Sequence, residues 1–283
     1  RLTAVLTSGG DGFAGRTGTG DWLNGVRVGS DTAGTPPAPD LGSPRATIRS
    51  FVSAGNLSRS GEAHALAWVI DAIDFGTDPG WQTRDAQYAG AEELFDLIDL
   101  ATFSLSAIPE QAPGPQLRLS LPRLDSKPPV DITLERGADG KWRILMPAPA
   151  ALRAALQDGG ARPADAFRQL QNPRDTLRSF LDGMANWDNG GESEAIATID
   201  LSQIPEVLRY HEGSLIAQYL VRLIDRVGSD VLQSVPNAGA SREPFVFFEN
   251  QAGRAVIEPV GSGADTRWKF STGTVRDVRS IYR

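Results

Sequence analysis

Few stretches of this chain carry residues whose types and spacing suit chemistry. Gly10–Thr17, Gly-Asp-Gly-Phe-Ala-Gly-Arg-Thr, is one residue away from a phosphate-binding loop of the Gly-x-x-x-x-Gly-Lys-Ser/Thr kind. The departure is at Arg16, where a lysine would reach the phosphates. Gly18 and Gly20 then interrupt the helix whose N-terminus must face them. Gly18-Thr19-Gly20 also lacks the third glycine of a dinucleotide fingerprint, so no nucleotide site is expected. Asn186-Trp187-Asp188-Asn189-Gly190-Gly191-Glu192 has the look of a calcium loop. Its twelfth position is Ala197, however, where a bidentate glutamate is needed, and a polar turn with glycines for chain reversal fits better. The two histidines, His64 and His211, stand far apart, and there is no cysteine. A transition-metal site would have to be built from carboxylates. Neither histidine lies beside a Gly-x-Ser-x-Gly elbow. The carboxylate pairs Glu92-Glu93 and Asp71/Asp74 read as charged helix surface. No catalytic residue, metal or cofactor is expected, and the chain reads as a non-enzyme.

Two tryptophans remain as ligand-binding candidates. Trp142 and Trp268 each follow a Gly-Ala-Asp turn and each stand beside a basic residue. Such a pair can form a stacking platform for a ligand, or can pack a sheet onto a helix, since large aromatics dominate core energetics. Arg45/Arg174 and Arg49/Arg178 form a second set, spaced four apart on one helix face. Pairing with Asp71/Asp200 and Asp99/Asp225 would let them fix how helices dock, and an interface role is also open.

The elements that must position these residues are written twice. Ser43–Phe51 reads Ser-Pro-Arg-Ala-Thr-Ile-Arg-Ser-Phe, and about half a chain later Asn172–Phe180 reads Asn-Pro-Arg-Asp-Thr-Leu-Arg-Ser-Phe. Each has an N-cap side chain followed by proline at the first helical position, so each opens a helix. Ile48, Phe51, Val52 and Gly55 share a helical face, as do Leu66, Val69, Ile70 and Ile73 over Gly61–Ile73, and Leu94, Leu97, Ile98 and Ala101 over Arg84–Thr102. The period then changes to two at Leu117/Leu119/Leu121 and Val130/Ile132/Leu134, with a hairpin into Lys141–Leu145 and a short helix over Ala150–Gln157. Leu177, Phe180, Leu181 and Met184 begin the same order again. Helices follow at Glu192–Ile199 and Val207–Val227, strands at Phe245–Phe248, Arg254–Val260 and Arg267–Phe270, and a last helix at Val275–Tyr282. Ile70-Asp71 answers Ile199-Asp200, Leu97-Ile98-Asp99 answers Leu223-Ile224-Asp225, and Ile108-Pro109 answers Val235-Pro236. The expectation is an α+β chain of two tandem repeats, each with about three helices, a small antiparallel sheet and a short terminal helix. Residues 1–41 form a Gly/Pro-rich arm or linker, 42–160 the first repeat and 165–283 the second.

A net charge of −7 argues against a nucleic-acid groove or an anionic membrane surface as partner. The lack of cysteine suits an oxidising compartment. No run approaches the roughly 18 apolar residues of a membrane span. The chain opens on Arg1, as a processed or excised piece would.

Several motifs in the second half carry a family resemblance. Asn172–Met184, Ala197-Thr-Ile-Asp-Leu-Ser-Gln-Ile-Pro205, Leu223-Ile-Asp-Arg226, Glu243-Pro-Phe-Val-Phe-Phe-Glu249, Trp268-Lys-Phe-Ser-Thr-Gly-Thr-Val275 and Ile281-Tyr282 stand in order. This series resembles the extracytoplasmic N-terminal region of bacterial mechanosensitive ion channel proteins of the small-conductance family. The first half is similar but more drifted. The resemblance implies the soluble periplasmic portion of a tension-gated channel at the bacterial inner membrane. It further implies a homo-oligomer joined through the full-length protein, and membrane spans after Arg283. No site residue carries over from that family. The alternative from another class is a periplasmic module that binds a small molecule or peptide in a cone-shaped pocket, as in nuclear-transport-factor-2-like proteins, with Trp142 or Trp268 lining it.

Overall fold

The two Pro-Arg-x-Thr stretches open helices for the reason their caps dictate. Ser43 Oγ accepts the Ala46 N–H at 3.1 Å, and Asn172 Oδ1 accepts the Asp175 N–H at 2.9 Å. The proline that follows each cap stands where an N–H would have no intrahelical acceptor. The computed structural model describes residues 38–59, 65–124, 127–159, 166–227, 229–238 and 242–283. The glycine-rich stretch Gly10–Thr17 and His64 lie outside them. The chain is mixed α+β with two small sheets, and it divides into two compact units between residues 165 and 166.

In the first unit, α1 (Pro44–Arg59) is followed by a 3-10 segment (Ala65–Ala72), the two-residue strand β1 (Ile73–Asp74), a 3-10 turn (Pro79–Trp81) and α2 (Arg84–Asp99). Strands β2 (Gln116–Leu121), β3 (Val130–Arg136) and β4 (Trp142–Leu145) come next, and α3 (Pro149–Gly159) closes the unit. The sheet order is β1-β4-β3-β2. The apolar alternation buries Val130, Ile132 and Leu134 against Ile48, Phe51, Leu94 and Ile98 in one core. Two expectations are corrected. The segment expected as a second α-helix is 3-10 over its described part. The sheet is also not purely antiparallel, because Ile73 pairs in parallel with Ile144. Leu66, Val69 and Ile70 do face the core, so the apolar spacing held while the helix type did not.

The second unit runs α4 (Pro173–Ala185), α5 (Gly191–Ala197), a 3-10 turn (Glu206–Leu208), α6 (Arg209–Val227), β5 (Phe245–Asn250), β6 (Gly253–Val260), β7 (Arg267–Phe270) and α7 (Thr272–Tyr282). Its antiparallel sheet, β5-β6-β7, has a bulge between Val246 and Phe248, and Ile199 adds a parallel bridge to Phe270. Leu177, Phe180, Ile216, Leu220, Phe247, Ile257, Trp268 and Val278 form its separate core, with the Phe180 and Phe270 rings edge-on at 5.4 Å.

The tandem glycines at the α4–α5 connection serve two ends. Gly190 reverses the chain in the left-handed region at φ +94°. Gly191 lets α5 press on α4: a Cβ there would fall 2.4 Å from the Gly183 carbonyl oxygen, and one on Gly183 would fall 2.5 Å from the Ala195 nitrogen. Alanine normally stabilises a helix interior over glycine by about 1 kcal/mol. At Gly183 the overlap with backbone reverses that sign. Gly183→Ala is expected to destabilise the chain by about 1–3 kcal/mol, while Gly114→Ala, with open space around it, leaves the urea midpoint nearly unmoved.

Candidate functional site

A cation at a helix N-terminus works against the macrodipole, so the arginine after each opening proline needs another reason to be there. The structure supplies one. In α4, Arg174 is completely buried, and its guanidinium lies along the end of the 3-10 segment Ser229–Ser234. Nε donates to the Val235 carbonyl at 2.9 Å, Nη2 to the Gln233 carbonyl at 3.0 Å and Nη1 to the Gln233 amide oxygen at 3.2 Å. The closing carbonyls of a helical turn lack intrahelical donors, and the several N–H groups of a guanidinium can supply them. In α1, Arg45 does the same more openly: Nε donates to the Ile108 carbonyl at 2.7 Å, Nη2 to the Ser106 carbonyl at 3.2 Å and Nη1 to Glu110 at 2.7 Å. The expected pairing of these two arginines with Asp71 and Asp200 is not what the structure shows. Asp71 is exposed, and Asp200 receives the Ser202 N–H at 3.0 Å in a local turn. Arg49 and Arg178 differ in setting, the first exposed and the second buried.

The threonine two positions on completes the arrangement. Thr176 Oγ1 lies 2.7 Å from the Trp268 carbonyl, and the Trp268 N–H donates to the Leu170 carbonyl just ahead of α4 at 2.8 Å. Leu170 holds a left-handed backbone at φ 52° to present that carbonyl, a conformation that costs a leucine about 1–2 kcal/mol. In the first unit, Thr47 Oγ1 lies 3.3 Å from the Trp142 carbonyl, and the Trp142 N–H reaches the Leu41 carbonyl at 2.9 Å. Each strand tryptophan is therefore clasped by the entry of its unit's first helix. The structure places both ligand-binding candidates in cores: Trp142 is 4% exposed and Trp268 is 3%. An indole so enclosed presents no face on which a ligand can stack.

The remaining candidates scatter. His211 is exposed. Glu93 pairs with Arg153 at 3.6 Å, and Asp74 receives the Gly76 N–H at 2.9 Å. Asn186 caps the end of α4 through its N–H to the Asp182 carbonyl, so the loop with the look of a calcium site is a helix connection. Among the described residues no group of three His, Cys, Asp or Glu side chains is placed to hold a metal.

One electrostatic feature was not visible in the sequence. Asp225, half-buried in the last turn of α6, has one carboxylate oxygen without a hydrogen-bond partner, and burial pushes its carboxyl up to about 6. The negative end of the helix disfavours its charge as well. The nearest sequence signal was its repetition with Asp99, which pointed to pairing.

No helix among the described residues is long and apolar enough to cross a membrane. Compared with known proteins, the chain matches no family model, no curated protein and no solved structure.

Removing the buried fork leaves several carbonyls unpaired in the core. Arg174→Met is expected to cost about 3–4 kcal/mol in urea unfolding, against about 1 kcal/mol for the more open Arg45→Met. For Asp225 the sign runs the other way. Its carboxyl titrates higher in the folded chain than the ordinary value of about 4. The ionised form therefore weakens the fold progressively as pH rises from about 4 to about 6, and fully above that. Asp225→Asn is expected to gain on the order of 1–2 kcal/mol at pH 7.5, allowing for partial solvent screening, and nothing at pH 4. Melts at the two pH values check this.

Proposed function

We propose that this chain is the non-enzymatic, periplasmic portion of a tension-gated ion channel of the small-conductance mechanosensitive family, made of two copies of one α+β unit. In this reading it acts in assembly, gating bias or sensing, and the full-length protein associates as a homo-oligomer. One observation supports it above the others. The motifs that carry the resemblance are spread from Asn172 to Tyr282, yet they meet in one network: Asn172 and Thr176 from the first, and Trp268 from a later one, bond through α4 and β7, with Arg174 tying in Val235. A motif series that is physically one structure is a stronger resemblance than separate matches.

Duplication is supported by parallel contacts within each unit. A proline-opened helix, an arginine on the carbonyl end of a 3-10 turn, a threonine beside the strand tryptophan's carbonyl and a parallel pairing next to that strand occur in both. The same contacts favour a shifted alignment of the two copies. Ile73-Asp74, rather than Ile70-Asp71, takes the part of Ile199-Asp200: Ile73 pairs with Ile144 as Ile199 does with Phe270, and both aspartates cap the next turn.

The proposal gives the clasp a mechanical role. Tension entering at Arg283 would pass through α7 into β7. There the Trp268 N–H and carbonyl hand it to the entry of α4 rather than to a free strand end. The direct test is the reading frame past Arg283. It is expected to encode apolar stretches of about twenty residues, and a frame that stops or stays polar contradicts the channel assignment.

A further inference from the structure

The chain's net charge of −7 is unevenly placed, and the end of the second unit that carries Arg283 is basic. Four side chains meet there. On α6, Tyr219, Arg222 and Arg226 are spaced three and four residues apart along one face, and Tyr282 of α7 packs on them. The Tyr219 and Tyr282 rings stand 5.6 Å apart. The guanidinium carbons of Arg226 and Arg222 lie 4.3 and 5.8 Å from the centre of the Tyr282 ring. Arg226 also donates through Nη1 to the Tyr282 carbonyl at 2.8 Å. Ring and carbonyl hold the two cations in place without neutralising either. Arg226 is exposed, Arg222 is half-buried, and Arg283 follows Tyr282, exposed.

The carboxylates of the packed elements are engaged elsewhere. Glu212 binds Arg279 at 2.7 Å, and Asp277 binds Arg276 at 2.7 Å. Glu249 faces Arg254 at 3.9 Å beside the turn whose Asn250 reaches the Ile281 carbonyl. Asp225 adjoins Arg226 in sequence, yet burial alone accounts for its raised carboxyl, so neither arginine serves it as counter-ion. Asp230 comes next in the sequence, past the end of α6, in the segment Ser229–Ser234. Among the described residues neither Arg222 nor Arg226 has an ion-pair partner. The first unit shows that the fold does not require these cations, a comparison that rests on the duplication proposed above. Leu97-Ile98-Asp99 answers Leu223-Ile224-Asp225 in the register in which Ile73 answers Ile199, which sets Glu93 against Tyr219 and Asp96 against Arg222. That face of α2 is acidic, and Arg153 and Arg59 close it off as ion-pair partners of Glu93 and Asp96. The second unit makes the same face basic and leaves it without counter-ions.

A guanidinium free of carboxylates suits phosphate, whose oxygens its planar fork meets two at a time. Tyrosine, with an apolar ring and a polar tip, suits the headgroup level of a bilayer. Charges farther than about 8 Å are largely screened at physiological ionic strength, so the local sign of the patch decides rather than the net charge of the chain. We propose that Arg222, Arg226 and Tyr282 form a docking surface for the phosphate headgroups of an anionic bilayer, which holds the end of α6 against the membrane. The inference rests on the channel reading, in which a membrane span follows Arg283 and brings those phosphates within reach.

The probe is a pair of vesicle preparations, one of phosphatidylcholine alone and one also containing phosphatidylglycerol, each mixed with the full chain at physiological salt. Co-sedimentation at millimolar lipid is expected with the phosphatidylglycerol vesicles only, and it should fall as salt rises. Arg222→Gln with Arg226→Gln should weaken partitioning about tenfold or more. Arg222→Lys with Arg226→Lys keeps the charge and should retain most of the binding. Arg118→Gln, at an exposed arginine of the first unit, should change nothing. Thermal melts show which variants fold, and vesicle composition, salt and the lysine pair still decide the matter if the glutamine pair does not. Equal sedimentation with both preparations, none with either, full binding by a folded glutamine pair, or complete displacement by millimolar glycerol phosphate at constant ionic strength would each overturn the proposal. Any of these leaves the channel reading standing, since the reading frame past Arg283 decides that separately, and a polar frame there removes the channel reading without altering the vesicle result.

Discussion

The structure of each unit depends on one junction, where the first residues of a helix and a strand far away in sequence share their hydrogen bonds. The N–H of Trp268 goes to the residue ahead of α4, and its carbonyl lies beside a hydroxyl in the first turn of α4. A strand end and a helix start both present backbone groups without partners, and burying either unpaired costs on the order of 1–3 kcal/mol per group. The exchange pairs both backbone groups of Trp268 with the chain entering α4, while the N–H groups of that helix start go to Asn172 Oδ1 and the Pro236 carbonyl. The tryptophan that carries the exchange then fills the space between helix and sheet, so the polar junction and the apolar core fix each other.

The arginine extends the junction to a third element. A guanidinium has five N–H donors and no acceptor, and inside a core it must be surrounded by oxygens. Arg174 finds them at the closing carbonyls of a 3-10 turn that is distant in sequence, so that turn is held against α4. Arg45 makes the matching contacts while keeping part of its side chain in water and sharing Glu110. The second unit has internalised what the first leaves half-solvated, and its burial makes it the more demanding of the two.

Much of this was legible from residue types. The N-caps, the prolines, the apolar stripes of α1, α2 and α6, and the alternation of β2 and β3 are local signals, and local physics decides them. The 3-10 form of Ala65–Ala72 was not legible, because an apolar segment that runs straight into a paired strand is shaped by the sheet it enters. The parallel pairing of Ile73 is likewise tertiary. Arg45 and Arg174 did not find the aspartates expected for them, because a guanidinium can also be satisfied by backbone carbonyls, and both arginines reach carbonyls at the end of a 3-10 turn. The packing of Gly183 on Gly191 was hidden for a similar reason: glycine between helices reads as a turn, and close approach is visible only in three dimensions.

The tryptophan junction is the claim on which the other assignments rest, and native-state hydrogen exchange measures it directly. If the junction holds each unit together, the Trp142 and Trp268 amide protons exchange only through global unfolding of their own units, with an opening free energy equal to that unit's stability. If either proton instead exchanges through a low-energy local opening while the β3 or β6 amides stay protected, the helix start and the strand are separable and the account is wrong.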